Sequence, residues 1–506
     1  MWLRVDRYDA SIVVHYVGLL VLGMAGAMLL PLLTAVLLGE WAAAADYVFG
    51  IGVSGTLGTG MLFAPVSPAR RVTHVHGLLI TAVAWLAASL VGAVPLAFSG
   101  NYPTYLDALF DTLSGFTTSG LTVVVDLDHM SLAHNMWRHL THLIGGQGIV
   151  VAALSFAIGL RGGALSLYLA EGRDERILPN VVHTVRFIWF VTFVYITLGT
   201  LSLTGVNLWL GMDAVRASLH AFWISVAAYD TGGFAPQSMN ALYYHSPLFE
   251  TVTVFLMLAG AMNFSLHAQV WRGDRREIWR NIETRTLAFN VLVLSLLATA
   301  GLAAASVFDG PAAVVRKGVY HVLSAHSGTG HQTLYAAQWT EGYAGLAFVA
   351  VILAMGAGGA VSSTAGGIKA LRLGVIARSV ILDVKESIAP TTAVVRSRYH
   401  HLAQRVLTPQ LTSTAAVTFI LYTTTYVVGA LIGGLYGYPA PQALFESVSA
   451  TANVGLSTGI TTATMPVGLK VLYMAQMWAG RLEFVAAMAL VANVLIAVLP
   501  PYRRAL

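Results

Sequence analysis

Backbone carbonyls can hold a cation without help from any side chain. A ring of them replaces the water around an ion, and glycine lets main chains approach closely enough to build one. Glycines in a setting that suits this chemistry recur at Gly120, Gly233, Gly330 and Gly455, spaced 113, 97 and 125 residues apart. Ten residues before each lies an aromatic (Phe110, Trp223, Tyr320, Phe445), seven before an aliphatic (Leu113, Val226, Leu323, Val448) and six before a small residue (Ser114, Ala227, Ser324, Ser449). One after stands a large residue, apolar in Leu121, Phe234 and Leu456 and polar in His331. The pairs leading into the anchors are Thr118-Ser119, Thr231-Gly232, Gly328-Thr329 and Asn453-Val454. Fixed offsets repeated four times indicate one structural unit used four times. Each copy reads as a short apolar helix breaking into a Gly/Thr/Ser/Asn turn, which is a pore loop. A helix whose C-terminus points at the ring adds the negative end of its dipole.

Two further features bear on transport. Residues 356–369, Gly356-Ala-Gly-Gly-Ala-Val-Ser-Ser-Thr-Ala-Gly-Gly-Ile-Lys369, interrupt an apolar stretch with glycine at 356, 358, 359, 366 and 367. Each glycine costs a helix roughly 1 kcal/mol relative to alanine, so a non-helical chain lining a wet cavity is expected there. A tightly packed glycine-rich helix is the alternative. Arg481 lies in Trp478-Ala-Gly-Arg-Leu-Glu-Phe484, inside the last apolar stretch. A buried arginine there costs several kcal/mol unless it is paired or faces water. It is either a movable barrier in a cation pathway or a structural residue held by backbone carbonyls. Glu483, two residues on, cannot share its helix face.

The elements that must position these residues are membrane helices. The chain of 506 residues is 57% hydrophobic and 10% charged with mean hydropathy +0.71, outside the range of soluble domains. Ten spans of about 20 apolar residues or more are expected, near 11–37, 43–65, 75–98, 134–160, 184–206, 246–270, 286–308, 341–368, 408–434 and 467–499. With both termini cytoplasmic, 22 of the 28 Lys and Arg fall inside, among them Arg161, Arg173 and Arg176. That bias fits the positive-inside rule and puts the glycine turns outside. The net charge of +5 therefore reflects orientation in a lipid bilayer and gives no warrant for nucleic acid. Cysteine is absent, so disulfides and thiolate sites are excluded. Gly50-Ile-Gly-Val-Ser-Gly55 matches a dinucleotide-binding fingerprint in letters only, because it sits in an apolar span without the strand that fingerprint needs. Glycine-mediated helix packing is the expected role.

The expected architecture is an all-α membrane protein: an N-terminal helix pair (1–70), then four helix–pore-loop–helix units at 71–170, 171–280, 281–400 and 401–506. Gly145-Gly146-Gln147-Gly148 in the first unit should let another backbone come close. The basic connection 369–407 is either a lipid-facing anchor or a docking surface for a soluble partner. The four turns, Ser363-Thr-Ala-Gly-Gly-Ile-Lys369 and Gly480-Arg-Leu-Glu483 together resemble the Trk/Ktr/HKT superfamily of potassium transporters, most closely the Trk-type pore subunits. The resemblance spans nearly the whole chain.

That resemblance implies K+ as the transported ion and no covalently bound cofactor. It implies filter residues Thr118, Ser119, Gly120, Thr231, Gly232, Gly233, Gly328, Thr329, Gly330, Asn453, Val454 and Gly455. It implies an intramembrane gate of Gly358, Gly359, Ser362, Ser363, Thr364, Gly366, Gly367 and Lys369, with Arg481 facing the pore. It further implies a homodimer on a cytosolic, nucleotide-binding (RCK-type) regulatory subunit, in the cell's inner (plasma) membrane. His331 replaces the phenylalanine usual in the family, and Asp230 precedes the second turn; both are candidates for the pore mouth. All four glycines are present, whereas serine at the first accompanies sodium selectivity in plant relatives, so potassium is favoured. Two other readings stand beside this one: an ion-coupled (H+ or Na+) symporter on the same fold, and a redox enzyme suggested by 16 histidines. His321, His326 and His331 are five apart and do not stack on one helix face.

Overall fold

The computed structural model describes residues 7–66, 72–148, 181–306, 308–341, 343, 345–390 and 395–498, and helices dominate it. Arg7–Ala27, Leu29–Leu38 and Trp41–Leu62 form the leading group. The fingerprint-like glycines lie in the third of these helices. A Cβ at Gly50 would sit 3.0 Å from Pro95, whereas Gly52 and Gly55 have nothing within 4 Å. Helix packing at one glycine accounts for that stretch.

Each unit then supplies a long first helix, a short pore helix and a second helix. The first helices are His74–Phe98, Val181–Trp209, Ile282–Ala305 and Pro409–Leu435. The pore helices are Tyr105–Phe116, Ala214–Tyr229, Pro311–His326 and Ala440–Thr451. Sequence explains where they begin: Thr104 and Asp107 form a reciprocal cap, Asp213 accepts from Arg216 N, and Pro311 opens the third. The units close on themselves, because Ala486 and Ala487 of the last unit join the apolar cluster around Trp85 of the first.

The second helices depart from expectation. An interruption was expected only in the third unit, yet the second and fourth units also break, and in the first the helix ends at the corresponding position. In the first, Leu132–Gln147 ends at Gly148. In the second, Pro247–Ala261 and Phe264–Trp271 meet at 101°. In the third, Leu346–Ala357 and Ala370–Ile388 are separated by the glycine-rich stretch. In the fourth, Val467–Arg481 and Val485–Ala497 meet at 116°. Among the described residues, five helices are long and apolar enough to cross a membrane unbroken, and up to seven if each bent pair is one span. The ten expected spans thus include broken ones, such as 341–368 and 467–499. The later part of span 134–160, Arg161, Arg173, Arg176 and the boundaries at 70/71 and 170/171 lie outside the described residues.

Backbone proximity explains the breaks. A Cβ on Gly145, Gly260 or Gly480 would lie 1.8 Å from Phe116 O, Tyr229 O or Thr451 O respectively. Each acceptor stands four residues before its unit's anchor glycine. The second helix therefore runs into the end of its own pore helix, and only a glycine fits the contact. A second departure is the antiparallel hairpin Arg398–His401/Ala403–Val406, inside the basic connection.

Gly480→Ala should overpack this contact, which typically costs about 1–3 kcal/mol. The melting temperature of detergent-solubilised protein should fall, whereas Gly52→Ala, facing open space, should not lower it.

Candidate functional site

The four turns share one local geometry. The amide of the residue before each anchor donates to the carbonyl six before the anchor: Ser119 N to Ser114 O at 2.8 Å, Gly232 N to Ala227 O at 2.8 Å, Thr329 N to Ser324 O at 3.0 Å, Val454 N to Ser449 O at 2.9 Å. The small residue at that offset is thus the carbonyl on which the turn folds back. Both the anchors and the residues two before them are left-handed: Thr118 (φ 52°), Thr231 (51°), Gly328 (75°) and Asn453 (55°) precede Gly120 (78°), Gly233 (74°), Gly330 (79°) and Gly455 (92°). Left-handed backbone is strained for threonine, so three non-glycines held there mark a site fixed by its surroundings.

The turns also meet one another in cyclic order. A Cβ added to Gly120 would lie 2.2 Å from Gly232 O; on Gly233, 2.0 Å from Thr329 O; on Gly330, 1.8 Å from Val454 O; on Gly455, 2.3 Å from Ser119 O. Each anchor faces the carbonyl that precedes the next anchor, and the fourth returns to the first. Only a closed ring of four around one axis satisfies all these contacts.

Against the Thr118 end of this ring lies the glycine-rich stretch, which is non-helical from Gly358 to Lys369. The alternative of a continuous glycine-rich helix is thereby excluded. Its backbone is bonded to the break in the second unit: Ala360 N to Ala261 O at 2.9 Å, Phe264 N to Ser362 O at 3.1 Å, Thr364 N to Gly260 O at 3.2 Å. Thr364 Oγ1 donates towards Tyr229 O (3.0 Å) and Gly260 O (2.9 Å) and lies 3.2 Å from Thr231 Oγ1. A Cβ on Gly366 would lie 2.2 Å from Ala452 O, and one on Gly328 would lie 3.3 Å from Gly366 N. The stretch therefore touches turns two, three and four. Val361 N donates to Glu283 (2.7 Å), Ser363 Oγ to Ala360 O (2.6 Å), and buried Lys369 to Ala365 O. Gly358, Gly359 and Gly367 fold it back on itself, with Ala370 N bonded to Gly359 O at 2.8 Å.

Arg481 completes the layer at turn one. Its guanidinium donates to Thr118 Oγ1 (3.0 Å), Thr364 O (2.6 Å) and Gly145 O (2.6 Å) and lies over Trp85, 5.5 Å from the ring centre. Carbonyls hold it, as the structural reading expects, and it also borders the cavity lined by Ser362, Gly366, Lys369 and Glu483, as a barrier requires. Glu483 pairs with Arg372 and not with its sequence neighbour.

Both mouth candidates are buried. Asp230 is fully buried at the end of the second pore helix, accepting from Gln147 Nε2 at 2.8 Å. The end of the first unit's second helix brings Gly146 and Gln147 onto it. His331 is also fully buried, with Nδ1 2.9 Å from Asn240 Oδ1. Sequence reading missed Asn240, which has positive φ and no motif around it; it also missed His142, which spans Gly115 O (2.9 Å) and Phe234 N (3.3 Å). Among the described residues, no group of three His, Asp or Glu side chains converges as metal ligands.

A sequence model described as TrkH, cation transport protein, matches residues 51–496. The chain belongs to the TrkH family. An uncharacterised cation transporter of Methanocaldococcus jannaschii is 29% identical over 438 residues, 86% of each chain. The Trk system potassium uptake protein TrkH of Escherichia coli is 27% identical over 484 residues, 93% of this chain and 96% of that one. The crystal structure of the potassium transporter TrkH from Vibrio parahaemolyticus superposes with a TM-score of 0.79 at 22% identity, covering 97% of this chain and 99% of that one. This TrkH-like fold is a membrane-transporter architecture, and cation transport is the activity its family carries.

Thr364→Val keeps the shape and removes the hydroxyl that meets Tyr229 O and Gly260 O. A lost buried hydrogen bond costs about 1–2 kcal/mol, so amide exchange across 358–369 should accelerate by roughly tenfold in hydrogen–deuterium measurements.

Proposed function

We propose that this chain is the pore-forming subunit of a potassium uptake system, with the four glycine turns as its selectivity filter. The single observation carrying this reading is the cyclic contact of the anchors with the carbonyls of Ser119, Gly232, Thr329 and Val454. A closed ring of peptide oxygens in a membrane helical bundle suits a dehydrated monovalent cation. Named relatives that take up potassium through Trk systems support the ion's identity.

Gly358–Lys369 and Arg481 form the gate in this reading. The stretch crosses the axis next to the ring, and the guanidinium places positive charge beside turn one. Conduction requires both to move. The lever is a cytosolic nucleotide-binding (RCK-type) subunit beneath a homodimer of this chain, with both termini and the basic connection facing it in the inner (plasma) membrane. Exposed Arg396, Arg398 and Arg405 on and beside the hairpin are the residues that suit such docking. K+ is cargo here, and no covalently bound cofactor is part of the reading.

Purified protein in proteoliposomes tests this. Reversal potentials should follow the potassium gradient alone; a shift with a proton or sodium gradient would establish the coupled reading instead. Gly120→Ser would push a side chain at Gly232 O and should lower potassium-over-sodium permeability by about tenfold, the equivalent of ~1.4 kcal/mol. Unchanged selectivity would remove the filter assignment. Arg481→Ala should raise rubidium flux, by about tenfold if the charge contributes ~1.4 kcal/mol of barrier. A variant with unaltered flux would leave Arg481 a structural role only.

A further inference from the structure

The ring of four turns is not chemically symmetric, and the asymmetry lies between the second and third units. Asn240 opens the 3-10 turn Asn240–Tyr244, seven residues after Gly233, with φ +52°. Asparagine tolerates this conformation better than most side chains. Its Nδ2 donates to Gly233 O at 3.0 Å. Among the described residues, no side chain donates to the carbonyl of Gly120, Gly330 or Gly455.

The orientation of the Asn240 amide is forced. Its oxygen accepts from two backbone amides, Ala241 N at 2.7 Å and Gln332 N at 3.3 Å. Backbone amides can only donate, so the oxygen must face them and the NH2 must face Gly233. The third neighbour of that oxygen is His331 Nδ1 at 2.9 Å, which must therefore carry its proton. Among the described residues, His331 Nε2 has no hydrogen-bond partner. His331 is held in turn through its own carbonyl, which accepts from Ser324 Oγ at 2.6 Å. A backbone bond from Leu242 N to Gln332 O at 3.2 Å closes the clip.

We infer that Asn240 and His331 are positioning residues for the outermost ring of the filter: through the Asn240 amide they fix the Gly233 carbonyl and make that ring one of three free oxygens and one engaged. This rests on reading the four turns as an ion filter. The offset occupied by His331 holds Leu121, Phe234 and Leu456 in the other units, which can pack but cannot donate. Only the third unit can thus reach across to anchor its neighbour's carbonyl. An engaged carbonyl has one lone pair committed to the amide and less freedom to follow an ion of different radius. The pair therefore bears on discrimination among monovalent cations, and a purely structural clip would scale all fluxes together.

The experiment is a set of bi-ionic reversal potentials for K+, Rb+, Cs+ and Na+ in proteoliposomes. Asn240→Asp preserves shape and all three acceptor contacts but turns an oxygen towards Gly233 O. Removing the donor and setting two acceptors together should alter the potassium-over-sodium ratio by about tenfold or more. His331→Phe supplies an apolar residue like those in the other units and so should fold; it should shift the ratio in the same direction by a smaller factor. His331→Asn, whose amide nitrogen reaches the place of the imidazole Nδ1, should restore it. If Asn240→Asp does not yield monodisperse protein, the His331→Phe and His331→Asn pair decides. Equal loss of all fluxes with unchanged ratios would overturn the positioning role. Gly120→Ser run in parallel separates the failures. If it changes selectivity and the clip variants do not, only this inference falls; if none of them does, the filter reading falls with it.

Discussion

Four carbonyl oxygens, of Ser119, Gly232, Thr329 and Val454, lie where the side chain of the preceding unit's anchor would begin. Everything else in the molecule accommodates this one contact. Main chains cannot come closer without colliding, and they cannot separate without opening the ring. The left-handed backbone at the anchors and two residues before them follows from it, as does burial of the aromatics Phe110, Trp223, Tyr320 and Phe445 behind the turns. The pore helices fix the turns in turn, through the bond that each turn sends back five residues.

Close main chains at membrane depth leave many polar groups needing partners. The second helices answer that need by breaking. Where they meet the pore-helix ends at Gly145, Gly260 and Gly480, continuous helix gives way to bends or turns. The freed groups bond across units: Ala261 O to Ala360 N, Gly260 O to Thr364 N and Gly145 O to Arg481. Arg481 meets its burial cost in the same way, by donating to carbonyls that a break has left open. The guanidinium and the glycine-rich stretch are therefore one layer, and neither can shift without releasing bonds of the other.

The repeat was legible in the sequence because each offset carries a physical job that few residue types can do. Small residues at Ser114, Ala227, Ser324 and Ser449 mark where the turn folds back, and the anchors mark where chains touch. The kinks at 261–264 and 481–485 were not legible. Isolated polar residues stand at both breaks, Asn263 at the first and Arg481 with Glu483 at the second, but a single glycine beside each, Gly260 or Gly480, gives no composition signal of a bend. Only the third unit, with five glycines between 356 and 367, announced its interruption. The burial of Asp230 was not legible, because it depends on Gln147, 83 residues away in sequence. Asn240 carried no signal at all, since its role comes from a neighbour in another unit.

Departures from the repeat become informative once the ring is known. His331 was conspicuous as the only polar residue at its offset, and that made it a candidate for the pore mouth. Fully buried and bonded to Asn240, it instead ties two turns together. Two other junctions are tied differently: His142 spans turns one and two through Gly115 O and Phe234 N, and Asn453 reaches Ser119 Oγ at 2.8 Å between turns four and one. Four-fold repetition thus builds the ring, while unrelated polar side chains lock its seams. A repeated unit can specify a symmetric backbone, but each seam lies between non-identical sequences and must find its own solution. In the filter reading, the seams are accordingly where sequence can change around the ring without changing the ring itself.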